Sequence, residues 1–237
     1  MWWWVGLAFA GGSARPLPEA WPPKAWHVDL MARTDFPVDA GVALDVETPQ
    51  RLRLGLGLGV VPAPYVDAIN AVAYAANWYD TATGDLIQDT IGASFVVHPV
   101  IGVRPVAREG FVVDAGFKLA VLGGKNTSAG LIAGLTGEEI PEGYSAAARD
   151  LRATAVVGMV TTRLGWVWEP TDHLVVRLDL GGAFTVTSTS RVSPPDGAAA
   201  ERLWAPLTRA GEVYLDQTMT RYVHTPTIGV GVGWRAR

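Results

Sequence analysis

Apolar and polar residues alternate with a period of two along several segments of the chain. In segment 51–60, leucine or valine fills every second position, and arginine or glycine fills the positions between them. Segments 26–33, 38–47, 111–121 and 174–186 follow the same rule. Because successive side chains of a β-strand point to opposite faces, these segments are predicted to be strands with one apolar face.

Three further segments alternate less regularly but are compatible with strands, namely 93–105, 155–169 and 222–235. They bring the predicted total to eight strands. An even number of antiparallel strands brings both chain termini to the same side of a membrane, as in bacterial single-chain barrels.

The connections between the predicted strands differ in length on the two sides. One side has only short turns, at 48–50, 106–110 and 170–172. The other side has a short link at 34–37 and three long excursions, at 61–92, 123–154 and 187–221. Short periplasmic turns and long external loops are typical of outer-membrane barrels. The predicted fold is therefore all-β: an eight-stranded antiparallel up-and-down transmembrane β-barrel spanning residues 26–237.

The long loops contain helical patterns at 67–78, 80–91 and 199–219, which are rich in alanine or carry apolar residues at helical spacing. We therefore expect helical extracellular loops. Such helices would cover the barrel mouth, present a surface to a ligand or partner, or lie on the membrane surface.

The strand faces opposite the apolar ones carry charges of both signs in nearly equal number. An eight-stranded barrel has an interior just wide enough for side chains, so these residues are expected to form an ion-pair network that closes the lumen. A narrow conducting pore is the alternative. The expected network consists of Arg33, Asp39, Asp45, Glu47, Arg51, Arg53, Arg104, Asp114, Lys118, Arg163, Arg177 and Asp179, with Asp29, Glu169 and Arg235 on the same face.

Large aromatic residues fall at the strand ends on the side of the short turns. Aromatic side chains favour the headgroup level of a bilayer, so they are predicted to form a membrane girdle at the periplasmic rim. The girdle consists of Trp26, Phe111, Trp166, Trp168 and Trp234.

The chain resembles the small eight-stranded outer-membrane proteins of the OmpA/OmpX type, and still more the uncharacterised outer-membrane barrel proteins of Gram-negative bacteria. The resemblance covers 26–237 and is carried by PVDAGVALDVETPQRLRLGLGLG (37–59), PYVDAINAV (64–72), LGGAFTV (180–186) and VGWR (232–235). It implies a protein of the bacterial outer membrane with a structural, loop-mediated binding or minor pore role. Its implied partners are outer-membrane lipids, the barrel-assembly machinery and an unidentified extracellular ligand.

The N-terminal segment differs from the rest of the chain. Residues 1–14 are apolar and end in small residues, which is typical of the remnant of a signal peptide, and 15–25 form a proline-rich linker. The 237 residues carry a net charge of -4 and no cysteine, which argues against a nucleic-acid partner and excludes disulfides.

The sequence predicts neither catalytic residues nor a cofactor or metal site. The histidines lack zinc-ligand spacing, the glycine run at 55–59 is not a dinucleotide fingerprint, and no GxSxG motif is present. We therefore expect a protein that is not an enzyme. Two alternatives remain at this level: a soluble, lipocalin-like ligand-binding barrel with its charges outside, and a barrel-embedded lipid-modifying enzyme.

Overall fold

The computed structural model of the chain describes residues 26–90, 93–106, 110–141, 150–194 and 197–236. The signal-like segment and the linker predicted at 1–25 lie outside these residues. Within them, eight strands pair in sequence order, every pair is antiparallel, and β1 pairs with β8 to close the barrel. The predicted up-and-down barrel is confirmed.

The strands are β1 His27–Phe36, β2 Asp39–Glu47, β3 Leu52–Val60, β4 Ala93–Val103, β5 Phe111–Ser128, β6 Asp150–Trp168, β7 Leu174–Ser193 and β8 His224–Ala236. The helices are α1 Ala63–Ala75, α2 Thr81–Thr90, α3 Ala129–Thr136 and α4 Gly197–Tyr222. The first residue of β1 and the last residue of β8 both lie at the rim with the short turns, which we call the tight-turn rim. All four helices lie between strands at the opposite, long-loop rim.

Strands β5, β6 and β7 are longer than predicted, because their upper parts were assigned to loops. These extensions keep an apolar face: Leu151, Ala153 and Val192 are buried against residues of α3 and α4. The opposite face carries polar residues. Apolar and polar residues therefore still alternate, but the apolar face packs on the helices and the outward face is no longer apolar, as a lipid-facing strand would be. Helix α3 was not predicted.

Helix α4 covers the edge of β7 that extends beyond the last residue paired with β8, Phe184. The Val192 N–H donates to the Glu212 carboxylate at 3.0 Å, and the Ser188 hydroxyl donates to Asp216 at 3.1 Å. Backbone groups on an open strand edge need hydrogen-bond partners, and the Glu212 carboxylate of α4 is such a partner for Val192. No helix in the described part of the chain is both long and apolar enough to cross a membrane.

One residue of the predicted lumen network, Arg51, lies in a tight turn. It closes the turn between β2 and β3 in the left-handed region, with φ of 67°, and its N–H donates to the Thr48 carbonyl at 2.9 Å. Strand β3 therefore begins one residue later, at Leu52, and the Arg51 carbonyl accepts a hydrogen bond from the Arg104 N–H at 3.1 Å. The prediction that Arg51 begins β3 is therefore corrected, because this residue takes part in the turn that reverses the chain.

Candidate functional site

The outer wall of the barrel is apolar and exposed. Along the strands, leucine, valine and isoleucine side chains point away from the barrel, and Leu30, Leu164 and Leu180 are each more than half exposed. The inner wall is charged and buried. This distribution is the reverse of that in a soluble barrel such as a lipocalin, and it excludes the lipocalin-like alternative.

The five predicted girdle residues lie on the outer wall near the tight-turn rim. Phe111 pairs with Trp166 across β5 and β6, with ring centroids 6.2 Å apart, and Trp166 is 6.5 Å from Trp168. Trp234 stacks on His173 at 4.6 Å. Trp26, 61% exposed, precedes β1 at the same rim. These rings form a continuous aromatic patch over β5 and β6, with further members beside β7 and β1.

The apolar wall allows a direct test of its contact with lipid. Leu180 lies midway along the lower part of β7 and is 57% exposed. In Leu180→Arg, we expect the free energy of unfolding to fall by ~2–4 kcal/mol, because an arginine at mid-bilayer depth is poorly solvated. The measurement is urea unfolding of the protein folded into lipid vesicles.

The matched control is Val72→Arg, because Val72 is 58% exposed on α1, outside the barrel wall. We expect a change within ~0.5 kcal/mol there, as for an ordinary surface substitution. Equal effects of the two substitutions would contradict the assignment of the outer wall to lipid.

The middle of the lumen is filled by a cluster of buried charges, which we call the central cluster. Its cations come from β1, β3, β5, β6 and β7, and its carboxylates from β1, β2, β5 and β7. The cations are Arg33, Arg53, Lys118, Arg163 and Arg177, and the carboxylates are Asp35, Asp39, Asp45, Asp114 and Asp179. The two signs balance within the cluster.

Asp35 is the hub of the upper half of the central cluster. Its carboxylate accepts from the Lys118 ammonium at 2.8 Å and from Arg163 at 3.3 Å, and it lies 3.4 Å from the Arg33 guanidinium. Lys118 also donates to Asp39. One buried carboxylate therefore offsets part of the charge of three cations, which is the condition under which buried charges are tolerated.

Arg177 is the hub of the lower half. It donates to both oxygens of Asp179 at 2.8 Å and also to Asp114. Asp45 accepts from Arg53 at 3.2 Å. The Arg53 guanidinium also lies 3.8 Å from Asp114, so the same carboxylate is shared by neighbouring arginines.

His98 joins the cluster through hydrogen bonds to both ring nitrogens. Arg33 lies against its Nδ1, and the Thr161 hydroxyl is 2.9 Å from its Nε2. Because a guanidinium has no acceptor, Nδ1 must accept the bond and Nε2 carries the proton that is donated to Thr161. His98 is therefore a neutral link between β1 and β6.

A second set of ion pairs closes the tight-turn rim. Arg104 donates to the two oxygens of Glu47, each at 2.9 Å. Arg235 donates to the two oxygens of Asp29 at 2.6 and 2.7 Å and also to Glu169. Bidentate pairs of this kind hold both side chains in one orientation.

Apolar residues lie along the strands below and above the central cluster. Met31, Val112, Val167 and Val175 form the lower apolar layer. In β1 the inward order is Asp29, Met31, Arg33, so this layer separates the rim pairs from the central cluster along the strand.

The upper apolar layer combines inward residues of the strands with one residue from each of three loop helices. Val66 of α1, Ile87 of α2 and Met219 of α4 pack against it, and all three are at most 4% exposed. Its strand residues are Val96, Ala120, Leu122, Ala155, Val157, Met159 and Ala183. The loop helices therefore cover the barrel mouth, and the lumen is closed on the long-loop side.

A third apolar cluster lies beyond the mouth and joins α3 and α4 to the strand extensions. Its centre is Trp204, which is fully buried with Ile132, Leu151 and Leu207. We call the four helices and these extensions the helical cap.

Polar contacts hold the cap's smaller helices. Asp80, just before α2, accepts from the Thr83 N–H at 2.9 Å, and this bond holds the pKa of Asp80 below its usual value. The Tyr79 hydroxyl donates to Asn70 at 2.9 Å, and burial raises the pKa of Tyr79 to about 12. The Thr83 and Tyr214 hydroxyls lie 2.8 Å apart and connect α2 to α4.

Sequence reasoning missed two members of the central cluster, Asp35 and His98. Asp35 was assigned to the link at 34–37, whereas β1 continues to Phe36. The inward order at positions 29, 31 and 33 extends to 35, so the alternation itself carried the signal. His98 lies on the inward face of β4, where the alternation of 93–105 also puts it, but nothing in the sequence showed that it joins the charges.

The site offers no evident place for a metal ion. Among the residues that the structure describes, no group of three or more histidines and carboxylates is arranged to hold one. The absence of a cofactor remains a prediction.

An apolar exterior around a closed, charged interior, with an aromatic girdle at one rim, defines the class of this protein. It has the architecture of a transmembrane β-barrel of the outer-membrane type, since a closed barrel pairs the backbone groups of every strand within the bilayer and needs an apolar outer band.

No family model matches the sequence, and no curated protein is similar to it in sequence. The solved structures that match this chain include the following three. The N-terminal β-barrel domain of OprF from Pseudomonas aeruginosa is 9% identical, with a TM-score of 0.41 over 89% of this chain and 96% of that one. A major outer membrane protein from Thermus thermophilus is 10% identical, with a TM-score of 0.41 over 89% and 98% of the two chains. CarO2 from Acinetobacter baumannii is 13% identical, with a TM-score of 0.38 over 89% and 98%.

Proposed function

We propose that this protein is a non-conducting barrel that anchors the helical cap at the outer surface of the membrane, and that it acts through contacts made by the cap. The observation that carries the proposal is the closed lumen. Ion pairs, two apolar layers and three loop helices fill the path that a solute would take.

A conducting state would require large rearrangements. Separating one partner from a buried ion pair costs ~3–5 kcal/mol, and the central cluster contains several pairs in mutual contact. The helices of the upper apolar layer would also have to leave the mouth. A minor pore role is therefore disfavoured.

The cap offers a surface suited to binding. A groove of about 500 Å³ lies between α3 and α4, and its lining includes Leu135, Glu138, Arg209 and Tyr214. Apolar, acidic and basic groups thus meet on a surface supported by a packed core. Binding sites are often carried on loops that a rigid scaffold holds in place.

We propose no catalytic role for the lumen. Each carboxylate of the central cluster is engaged by a cation and lies beneath the upper apolar layer. A water or substrate would have to displace these pairs before a carboxylate could act as a base.

Planar-bilayer recording tests the proposal. We expect protein that shows the shifted gel mobility of a folded barrel, and that inserts into the bilayer, to give no stepwise conductance across applied voltages. A porin recorded in the same bilayers is the positive control. Recurrent conductance steps of uniform size from the folded protein would overturn the proposed closed barrel.

A further inference from the structure

The outward face of the strand extensions carries two arginines just beyond the apolar wall. Arg152 on β6 and Arg191 on β7 are both exposed, and their chain neighbours Leu151, Ala153 and Val192 are buried on the opposite face. The two side chains therefore point in the direction of the lipid-facing wall and away from the helical cap.

The change from apolar to basic residues occurs at the same level on both strands. Toward the long-loop rim, β6 presents Val156, Thr154 and then Arg152, and β7 presents Thr189 and then Arg191. Val156 pairs with Thr189, and Thr154 pairs with Arg191. Arg152 and Arg191 are diagonal neighbours, at a separation of ~7–8 Å that long side chains bridge easily.

The height of the pair matches a headgroup layer. Arg152 and the girdle residue Trp168 are 16 residues apart on β6. At ~3.3 Å per residue and a strand tilt of ~40°, this corresponds to ~40 Å along the barrel axis. A bilayer with its headgroups is ~40–45 Å thick, so a girdle at one interface puts the arginines among the headgroups of the other.

Both guanidinium groups are available to a ligand. Neither forms an ion pair with a carboxylate in the described part of the chain, whereas the lumen arginines Arg104, Arg177 and Arg235 are all paired. Thr154 donates its hydroxyl to the Arg191 carbonyl at 3.5 Å, a contact that leaves the guanidinium untouched. Arginine binds phosphate through two parallel N–H bonds, and two arginines side by side bind it more strongly.

We propose that Arg152 and Arg191 bind the phosphate of a lipid headgroup in the outer leaflet. The inference rests on the assignment of the chain as a membrane barrel, and it goes beyond the proposed function by naming a lipid class and its site. The occupant is a phosphorylated lipid, because the pair lies directly above the lipid-facing wall and on the side away from the cap.

The test measures lipid binding by the full chain folded in detergent micelles. The probes are phosphatidic acid, which carries a phosphomonoester, the zwitterionic phosphatidylcholine, and inorganic phosphate. We expect phosphatidic acid to be preferred to phosphatidylcholine. In the double variant Arg152→Gln/Arg191→Gln, its affinity should fall ~10-fold through loss of charge-assisted hydrogen bonds.

Two variants act as controls. Arg202→Gln/Arg221→Gln removes the same charge from two exposed arginines of α4 that lie outside the groove between α3 and α4, and it should keep the preference. Arg152→Lys/Arg191→Lys keeps the charge without the bidentate geometry and should give an intermediate affinity.

An unchanged preference in the double glutamine variant, an equal loss in the α4 control, or inorganic phosphate competing as well as the lipid would overturn the lipid site. These results differ from failure of the membrane assignment itself, which would appear as protein that stays in solution without detergent.

Discussion

Replacing Asp35 by asparagine is expected to lower the free energy of unfolding by ~3–5 kcal/mol, because removing one partner leaves buried charges without compensation. Asp35 contacts Lys118 at 2.8 Å, Arg163 at 3.3 Å and Arg33 at 3.4 Å, and it is 2% exposed. An amide in its place has the same shape but no charge. Urea unfolding in lipid vesicles measures the loss.

Asp85→Asn is the matched control, since Asp85 is exposed on α2, and its effect should stay within ~0.5 kcal/mol. The double variant Asp35→Asn/Lys118→Met adds a sharper criterion. Because it removes a cation together with the carboxylate, it should lose less than the sum of the two single variants. Strict additivity would show that Asp35 and Lys118 do not act as a pair.

Replacing Trp204 by alanine is expected to destabilise the helical cap by ~3–5 kcal/mol without opening the barrel. Trp204 is fully buried at the centre of the cluster that joins α3, α4 and the strand extensions. Its removal leaves a cavity that the short helix α3 is poorly able to fill. We expect rapid proteolysis within α3 and α4, while the shifted gel mobility of the folded barrel is retained.

The adjacent residue provides the control. Leu203 is 46% exposed on the same helix, and Leu203→Ala should leave the rate of proteolysis close to that of the parent protein. If Trp204→Ala also abolished the barrel's shifted mobility, the cap and the barrel would form one cooperative unit, contrary to our expectation.

The sequence predicted the parts of the fold that repeat and missed those that depend on distant contacts. Alternation identified the barrel because every strand faces lipid on one side and the lumen on the other, so each one repeats the same apolar and polar pattern. Arg51 was misplaced because the alternation of β3 runs unbroken into a turn whose φ of 67° the pattern does not reveal. The upper parts of β5 to β7 were predicted as loops because their outward residues are polar. Their apolar residues pack against helices such as α4, and not against lipid.

The same reasoning explains what could be known of the lumen. Eleven of the twelve residues assigned to the network from the alternation form buried ion pairs, and Arg51 lies in a turn. The pairing itself could not be read, because Asp35 and Arg163 are 128 residues apart and meet only through barrel closure. Likewise, the sequence left open whether the loop helices cover the mouth, which depends on Val66, Ile87 and Met219 converging from three helices in two loops.

The wide distribution of the central cluster over the strands has a consequence for assembly in the membrane. Its cations and carboxylates are drawn from β1, β2, β3, β5, β6 and β7, so a sheet that has inserted but not yet curled would hold unmatched charges next to hydrocarbon. Partly inserted intermediates are therefore penalised, and insertion should be coupled to closure in one concerted event. The charges that seal the finished barrel also select against its incomplete forms.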